Sequence, residues 1–152
     1  MNKIDDIDRN ILRVLQQDAA LSMDALAERV ALSRNACWRR IKALEAAGVL
    51  TGRVALVDAS KVGLGLQALV LIRSATHDPD WMLRFDRALR SLPEVTAAHR
   101  MSGDLDYVLR VQVADMAGYD AFYKRLIAQV PVTDISASFV METLKDSPAI
   151  PV

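Results

Sequence analysis

Residues 32–52, Leu-Ser-Arg-Asn-Ala-Cys-Trp-Arg-Arg-Ile-Lys-Ala-Leu-Glu-Ala-Ala-Gly-Val-Leu-Thr-Gly, decide how the first third of this chain folds. Ser33 is a good helix N-cap and Gly48 a good helix terminator, so the stretch predicts a capped helix. At roughly 100° per residue, Cys37, Ile41 and Leu44 fall on one side, and Asn35, Trp38, Arg39 and Lys42 project roughly opposite. The cations Arg34, Arg39, Arg40 and Lys42 all come before the first acid of the stretch, Glu45. Upstream, Ser22 caps a shorter segment that carries Leu26, Ala27 and Val30 on one side. Before that, Asp5 to about Gln17 places Ile4, Ile7, Ile11, Val14 and Leu15 at helical spacing, with Asp5, Asp6 and Asp8 suited to a helix start. Two helices joined by a tight break, the second basic on its outer side, are the minimum for setting a helix into the DNA major groove.

The outward residues suit that task chemically. Guanidinium groups recognise guanine edges or phosphate, a carboxamide such as Asn35 recognises adenine, and the Lys42 ammonium meets phosphate. Arg39 is the candidate base reader; Arg34 and Arg40, at the edges of the face, are assigned to phosphate. Ser33, with Ser22 at the preceding helix start, marks a helix N-terminus whose backbone N–H groups can meet phosphate. Trp38 either packs at the rim of its own domain or touches the sugar-phosphate backbone. Cys37 reads as a small core residue, since free cysteine packs as a hydrophobe. An isolated basic helix is more often a solvated face. Here the capped helix before it, the tight turn and the β-prone residues after it favour DNA.

The chain of 152 residues has 19 Lys and Arg against 19 Asp and Glu, a net charge of zero. The distribution is uneven: residues 1–53 hold nine cations and seven acids, residues 54–152 ten and twelve. A local basic patch on a neutral body suffices for a DNA footprint. No apolar run is long enough to span a bilayer, and the acidic N-terminus lacks the apolar core of a secretory signal. The single cysteine permits no internal disulfide. A cytoplasmic, nucleoid-associated protein with no membrane partner is expected.

After Gly52 the pattern changes. Leu50 to Val57 reads as a strand leaving the first domain, and Asp58 to Gly65 as a linker. Leu66 to Ile72 is a nearly continuous apolar run, suited to a buried strand. Asp80 to Leu92 predicts a helix stopped by Pro93, and Val95 to Met101 a strand. Ser102 to Asp104 predicts a turn, Leu105 to Val113 a strand, Met116 to Val130 a helix stopped by Pro131, and Ile135 to Leu144 a last strand. The order β-α-β-β-α-β is the ferredoxin-like arrangement. The fold class is therefore α+β: a helix-turn-helix domain over 1–53, a hinge strand and linker over 54–65, and a ferredoxin-like domain over 66–152. Such a sheet can leave one face open for dimerisation.

These residues resemble the Lrp/AsnC family of leucine-responsive and asparagine-responsive bacterial transcription regulators. Ile7-Asp8-Arg9-Asn10-Ile11-Leu12, Leu32-Ser33, Cys37, Arg40-Ile41, Leu44-Glu45, Gly48 and Gly52 carry the likeness in the first half. Ser102-Gly103-Asp104-Leu105-Asp106-Tyr107 and Phe139-Val140-Met141-Glu142 carry it in the second. The resemblance implies a winged helix-turn-helix, a hinge strand and a ferredoxin-like domain that dimerises and binds small effectors, usually amino acids. It also implies dimers assembling into octamers or larger rings.

The turn Ser102-Gly103-Asp104-Leu105-Asp106 sets two carboxylates and a glycine between two strands. Its backbone N–H groups could hold an α-carboxylate, and Asp104 or Asp106 an α-ammonium. On residues alone an ordinary polar turn is the commoner outcome. The resemblance, in which this loop contributes to effector pockets between neighbouring dimers, turns the reading toward a site. By position it adds Arg100, Met101, Met116, Ser136, Ser138 and Phe139 to the pocket. Ser138 stands where the leucine-responsive member has tyrosine, Arg100 where it has leucine, and one residue is missing after Pro131. These departures count against leucine as the effector. The Cys37-Trp38 pair and the run Arg110 to Met116 are similar to a branch tied to cysteine metabolism, which implies cysteine or another sulfur-containing or small polar amino acid.

Other chemistry finds little support. His77 and His99 lack partners at metal-ligand spacing, so no metal site is expected. Gly63-Leu64-Gly65 precedes a strand, which is wrong for a phosphate loop. No catalytic constellation is argued by spacing, so neither a catalytic residue nor a cofactor is expected. Two rivals remain: a ligand-independent architectural DNA-binding protein, and, further off, a small enzyme domain using Asp104 and Asp106 as an acid/base pair.

Overall fold

The computed structural model describes residues 4–74 and 78–152; His77 lies outside them. The chain divides into two compact units, Met1–Leu56 with Leu144–Val152, and Val57–Thr143.

In the first unit, α1 spans Asp6–Gln17, α2 Met23–Arg29 and α3 Arg34–Ala46. Each start is capped by the acid or hydroxyl that the sequence supplies. Asp5 and Asp8 form a reciprocal capping box, the Asp5 carboxylate accepting from the Asp8 N–H at 2.8 Å and the Asp8 carboxylate from the Asp5 N–H at 3.3 Å. Ser22 accepts from the Ala25 N–H and Ser33 from the Ala36 N–H. Ile11, Leu12, Leu15, Leu26, Ala27, Val30, Cys37, Ile41 and Leu44 close one core. Ile7, expected on the inner row, is 40% exposed, and Leu12 takes the inward place.

Both later helices end in the same way. After α3, Gly48 adopts φ +68° while its N–H reaches the Glu45 carbonyl and the Val49 N–H the Leu44 carbonyl. After α2, Ala31 takes φ +54°, its N–H on Glu28 and the Leu32 N–H on Ala27. This is the αL helix ending that normally recruits glycine. An L-residue there is strained by roughly 1–2 kcal/mol. Ala31→Gly is therefore expected to stabilise the helix-turn-helix by about 0.5–1 kcal/mol, once glycine's greater unfolded-state entropy is subtracted. Denaturant unfolding of both forms checks it; destabilisation would mean the methyl group packs usefully.

In the second unit, β1 is Leu66–Arg73, α4 Pro79–Ser91, β2 Val95–Arg100, β3 Tyr107–Val113, α5 Met116–Gln129 and β4 Asp134–Phe139. The sheet order is β2-β3-β1-β4, every pair antiparallel. Alternation along β1 and β3 sends Ala68, Val70, Ile72, Tyr107, Leu109, Val111 and Val113 into the core with Trp81, Phe85, Phe122 and Leu126 of the helices. The other face carries Leu69, opposite Arg110 and Ser138, and Leu71, opposite Val108 and Ser136.

Four expectations change. Residues 51–58 form no strand, and Val54, Leu56 and Val57 are 80%, 75% and 68% exposed. β-prone residues make a strand only where a second strand accepts their hydrogen bonds, and none of the described residues does so. The expected linker contains a 3-10 turn, Ala59–Val62, capped by Asp58. The last strand stops at Phe139, leaving Met141 and Leu144 exposed.

The fourth change concerns the C-terminal residues, expected with the second domain. Residues 144–152 instead join the first unit. The Gln16 side chain donates to the Ile150 carbonyl at 3.1 Å and accepts from its N–H at 2.7 Å, and Arg13 Nε donates to the Val152 carbonyl at 2.7 Å.

Candidate nucleic-acid interface and effector loop

The α3 core side chains fix its rotation. Cys37, Ile41 and Leu44 are at most 4% exposed, so the opposite stripe faces out. Asn35, Trp38, Arg39 and Lys42 are all exposed, Trp38 by 50%. Burial pushes the Cys37 thiol above its ordinary pKa, which keeps it an unreactive core group. The Ser22 and Ser33 hydroxyls accept from their own helix starts and keep an O–H to donate.

The cations of this face differ in what holds them. Arg34 pairs with Asp24 of α2 at 3.2 Å, with both side chains about two-thirds exposed. Such an exposed pair is weak and holds Arg34 only loosely. Lys42 pairs with Glu45 at 2.7 Å. Among the described residues Arg39 makes no hydrogen bond or ion pair, so no neighbour in the first unit holds its exposed guanidinium.

Arg40, expected on phosphate, lies between two carboxylates of α1, 2.8 Å from Asp5 and 2.8 Å from Asp8. Its side chain is only 32% exposed. The Asp8 N–H first, and then Arg40, hold the Asp5 carboxyl below the usual aspartate range. The Asp5 carboxylate stays ionised at neutral pH, and Arg40 stays with it. It ties α3 to the start of α1.

In the sheet unit, the loop after β2 is built by backbone bonds. The Met101 N–H donates to the Asp106 carbonyl at 2.8 Å and the Asp106 N–H to the Ile72 carbonyl at 3.1 Å. Arg73 Nε donates to the Asp104 carbonyl at 2.8 Å and also pairs with Asp134. Gly103 sits at φ +123°, a conformation that side-chain-bearing residues avoid. Met101, Ser102, Gly103 and Asp104 are exposed.

The expected effector residues differ in their surroundings. The Asp106 carboxylate accepts from the Ser74 N–H at 2.7 Å, a loop-closing bond, which leaves Asp104 as the exposed acid. The strand residues also divide between the two sides of the sheet. Ser136 and Ser138 lie on the side away from the helices, opposite Leu71 and Leu69. Phe139, opposite Ala68, faces the helices and meets Tyr119 edge-on at 5.1 Å. Arg100 ends β2 opposite Tyr107, and Met116 opens α5 at 56% exposure. Period-two alternation along Ser136-Ala137-Ser138-Phe139 carries this division in the sequence.

Sequence reasoning missed Arg73 and Ser74, which anchor the loop, and Arg53, which lies 3.6 Å from Glu45. The Lys42–Glu45 pair, three residues apart on one helix, could have been read from local spacing.

A basic, outward helix-turn-helix on one unit and a βαββαβ sheet with an exposed loop on the other define a two-domain regulator class. The comparisons agree. Residues 4–51 match the winged helix-turn-helix DNA-binding family, and residues 67–150 the Lrp/AsnC ligand binding domain. DecR, a DNA-binding transcriptional activator of Escherichia coli K12, is 49% identical over 150 residues, 98% of this chain and 99% of its own length. An AsnC family transcriptional regulator structure from Agrobacterium tumefaciens has TM-score 0.93 at 48% identity, covering 97% of this chain and 96% of that one. A Neisseria meningitidis transcriptional regulator solved in complex with L-methionine has TM-score 0.93 at 35% identity, covering 98% and 97%. The chain belongs to the Lrp/AsnC family. It is a transcriptional regulator with a DNA-binding helix-turn-helix and a ligand-binding domain.

Proposed function

We propose that the ligand is a free amino acid with a sulfur-containing or small polar side chain, cysteine or methionine first. It is held at the 101–106 loop where neighbouring copies of the chain meet. One observation carries this reading: Gly103 at φ +123° opens the loop backbone beside the exposed Asp104. Backbone N–H groups then take the α-carboxylate and Asp104 the α-ammonium, the two ends that every amino acid presents. The L-methionine complex of the Neisseria relative supports the ligand class. Ser138, small and on the open face, supports a site completed by a second copy, since Phe139 of the same strand faces the other way.

The assembly is a homo-oligomer of dimers acting at the nucleoid in the cytoplasm. Bound effector changes how the reading helices of neighbouring copies are spaced against DNA, a coupling between distinct sites. On that DNA, Arg39 reads a base edge, Asn35 and Trp38 lie beside it, and Lys42, Arg34, Ser22 and Ser33 meet phosphate.

Thermal unfolding of the full chain with each of the twenty amino acids tests the ligand. Cysteine or methionine is expected to raise Tm, because saturation at a hundred times Kd adds about 2.7 kcal/mol. A chain stabilised by none of the twenty would contradict the amino-acid reading.

A further inference from the structure

Glu45 lies on the same stripe of α3 as Trp38 and Lys42, seven and three residues on. One of its carboxylate oxygens is 2.7 Å from Lys42 Nζ, and the other is 3.6 Å from the Arg53 guanidinium. Arg53 comes just after Gly52 in the exposed segment leaving α3, so the Glu45 contact brings a cation from outside the helix to its outer flank. All three side chains reach solvent: 55% exposed for Lys42, 43% for Arg53 and 33% for Glu45.

From this arrangement we propose that Arg53 is a further DNA phosphate contact, and that Glu45 is an internal counter-ion holding it and Lys42 until DNA replaces it. The idea rests on the DNA-binding reading of α3 and extends the interface beyond the helix end.

The physical reasoning has three steps. Exposed ion pairs are weak and screened by salt, so both cations leave Glu45 readily. A duplex presents one charge per roughly 1.7 Å of axis, a far denser anion than a single carboxylate. Lys42 lowers the Glu45 carboxyl below its usual range, so the acid keeps its charge at neutral pH. Its remaining charge opposes any phosphate that approaches, whatever the base sequence. Glu45 thereby sets the strength of the sequence-independent part of binding.

The test measures affinity of the full chain against KCl concentration, on a genomic site recovered by chromatin mapping and on a random duplex of equal length. Arg53→Ala is expected to weaken binding to both duplexes several-fold and to flatten the slope of log K against log salt by about 0.9. Arg53→Lys, which keeps the charge, should hold the wild-type slope. Glu45→Gln, close in shape, should tighten both duplexes several-fold and steepen the slope. If Arg53→Ala keeps wild-type affinity and slope, Arg53 does not touch DNA and the proposal fails. If Glu45→Gln weakens binding, the acid orients Lys42 for DNA rather than competing with it, and the counter-ion role fails. A wild-type chain with no salt-dependent binding would overturn the DNA reading itself, a separate outcome.

Discussion

Arg39→Ala is expected to weaken operator binding by about 1–3 kcal/mol, roughly five- to 150-fold in Kd, if Arg39 reads a base. The fold should not notice. Arg39 is exposed, and among the described residues it has no partner to strand. Its loss removes a groove contact and nothing from the core. Anisotropy titration at matched salt measures the first effect and a thermal melt the second. Base reading predicts that the loss is greater on the operator than on random DNA, because a bidentate contact discriminates among bases whereas a phosphate contact does not. Arg40→Ala should behave in the opposite way. It leaves Asp5 and Asp8 facing each other without their cation, so the first unit loses stability. Unchanged operator affinity of Arg39→Ala would remove that residue from the interface.

The largest stability effect is expected at Trp81. Its ring is 2% exposed, stacks on Phe85 at a centroid distance of 4.9 Å and meets Tyr107 at 5.7 Å. Its indole N–H donates to the Pro131 carbonyl at 2.7 Å, binding the start of α4 to the second residue beyond α5. Trp81→Ala removes the ring and leaves a cavity that the packed sheet cannot close, which costs about 3–5 kcal/mol. Trp81→Phe restores most of the apolar volume but not the donor, and should cost about 1–2 kcal/mol. Hydrogen exchange at the β3 amides, which lie at the centre of this core, reports the loss. A change below about 1 kcal/mol for Trp81→Ala would contradict the packing described.

How much of this was legible in the sequence depends on the range of each interaction. The caps Ser22 and Ser33, the acids at the start of α1, the ending at Gly48 and the inward row Cys37-Ile41-Leu44 are local, and the structure has all of them. The order of strands and helices beyond residue 65 was also legible, because the periods of two and 3.6 residues differ plainly there. Strand lengths were not. Residues 51–57 and 140–144 have strand-like composition, yet β1 pairs with β4 only from Asp134 to Phe139 and none of the described residues pairs with 51–57. A strand's extent is a property of its partner as much as of its own residues.

Charge partners at long range were equally hidden. Arg40 meets Asp5 and Asp8 across more than thirty residues, so its helical-wheel position alone suggested a phosphate contact. The return of residues 144–152 to α1 depends on the Gln16 and Arg13 side chains meeting backbone groups, a contact without a sequence signature. The effector residues fall between these cases. Alternation separates Ser136 and Ser138 from Phe139, but it does not say which side of the sheet an effector meets.

Site-directed DNA cleavage tests the central claim most directly, that the outer face of α3 enters the groove. The chain's single cysteine, Cys37, is buried, so Cys37→Ala combined with Ala43→Cys places one exposed thiol beside Arg39 for an iron chelate. The expected result is strand cleavage inside the protected operator, at base pairs bordering the major groove. Protection of the operator with cleavage confined to its outer edges, or with none, would contradict it.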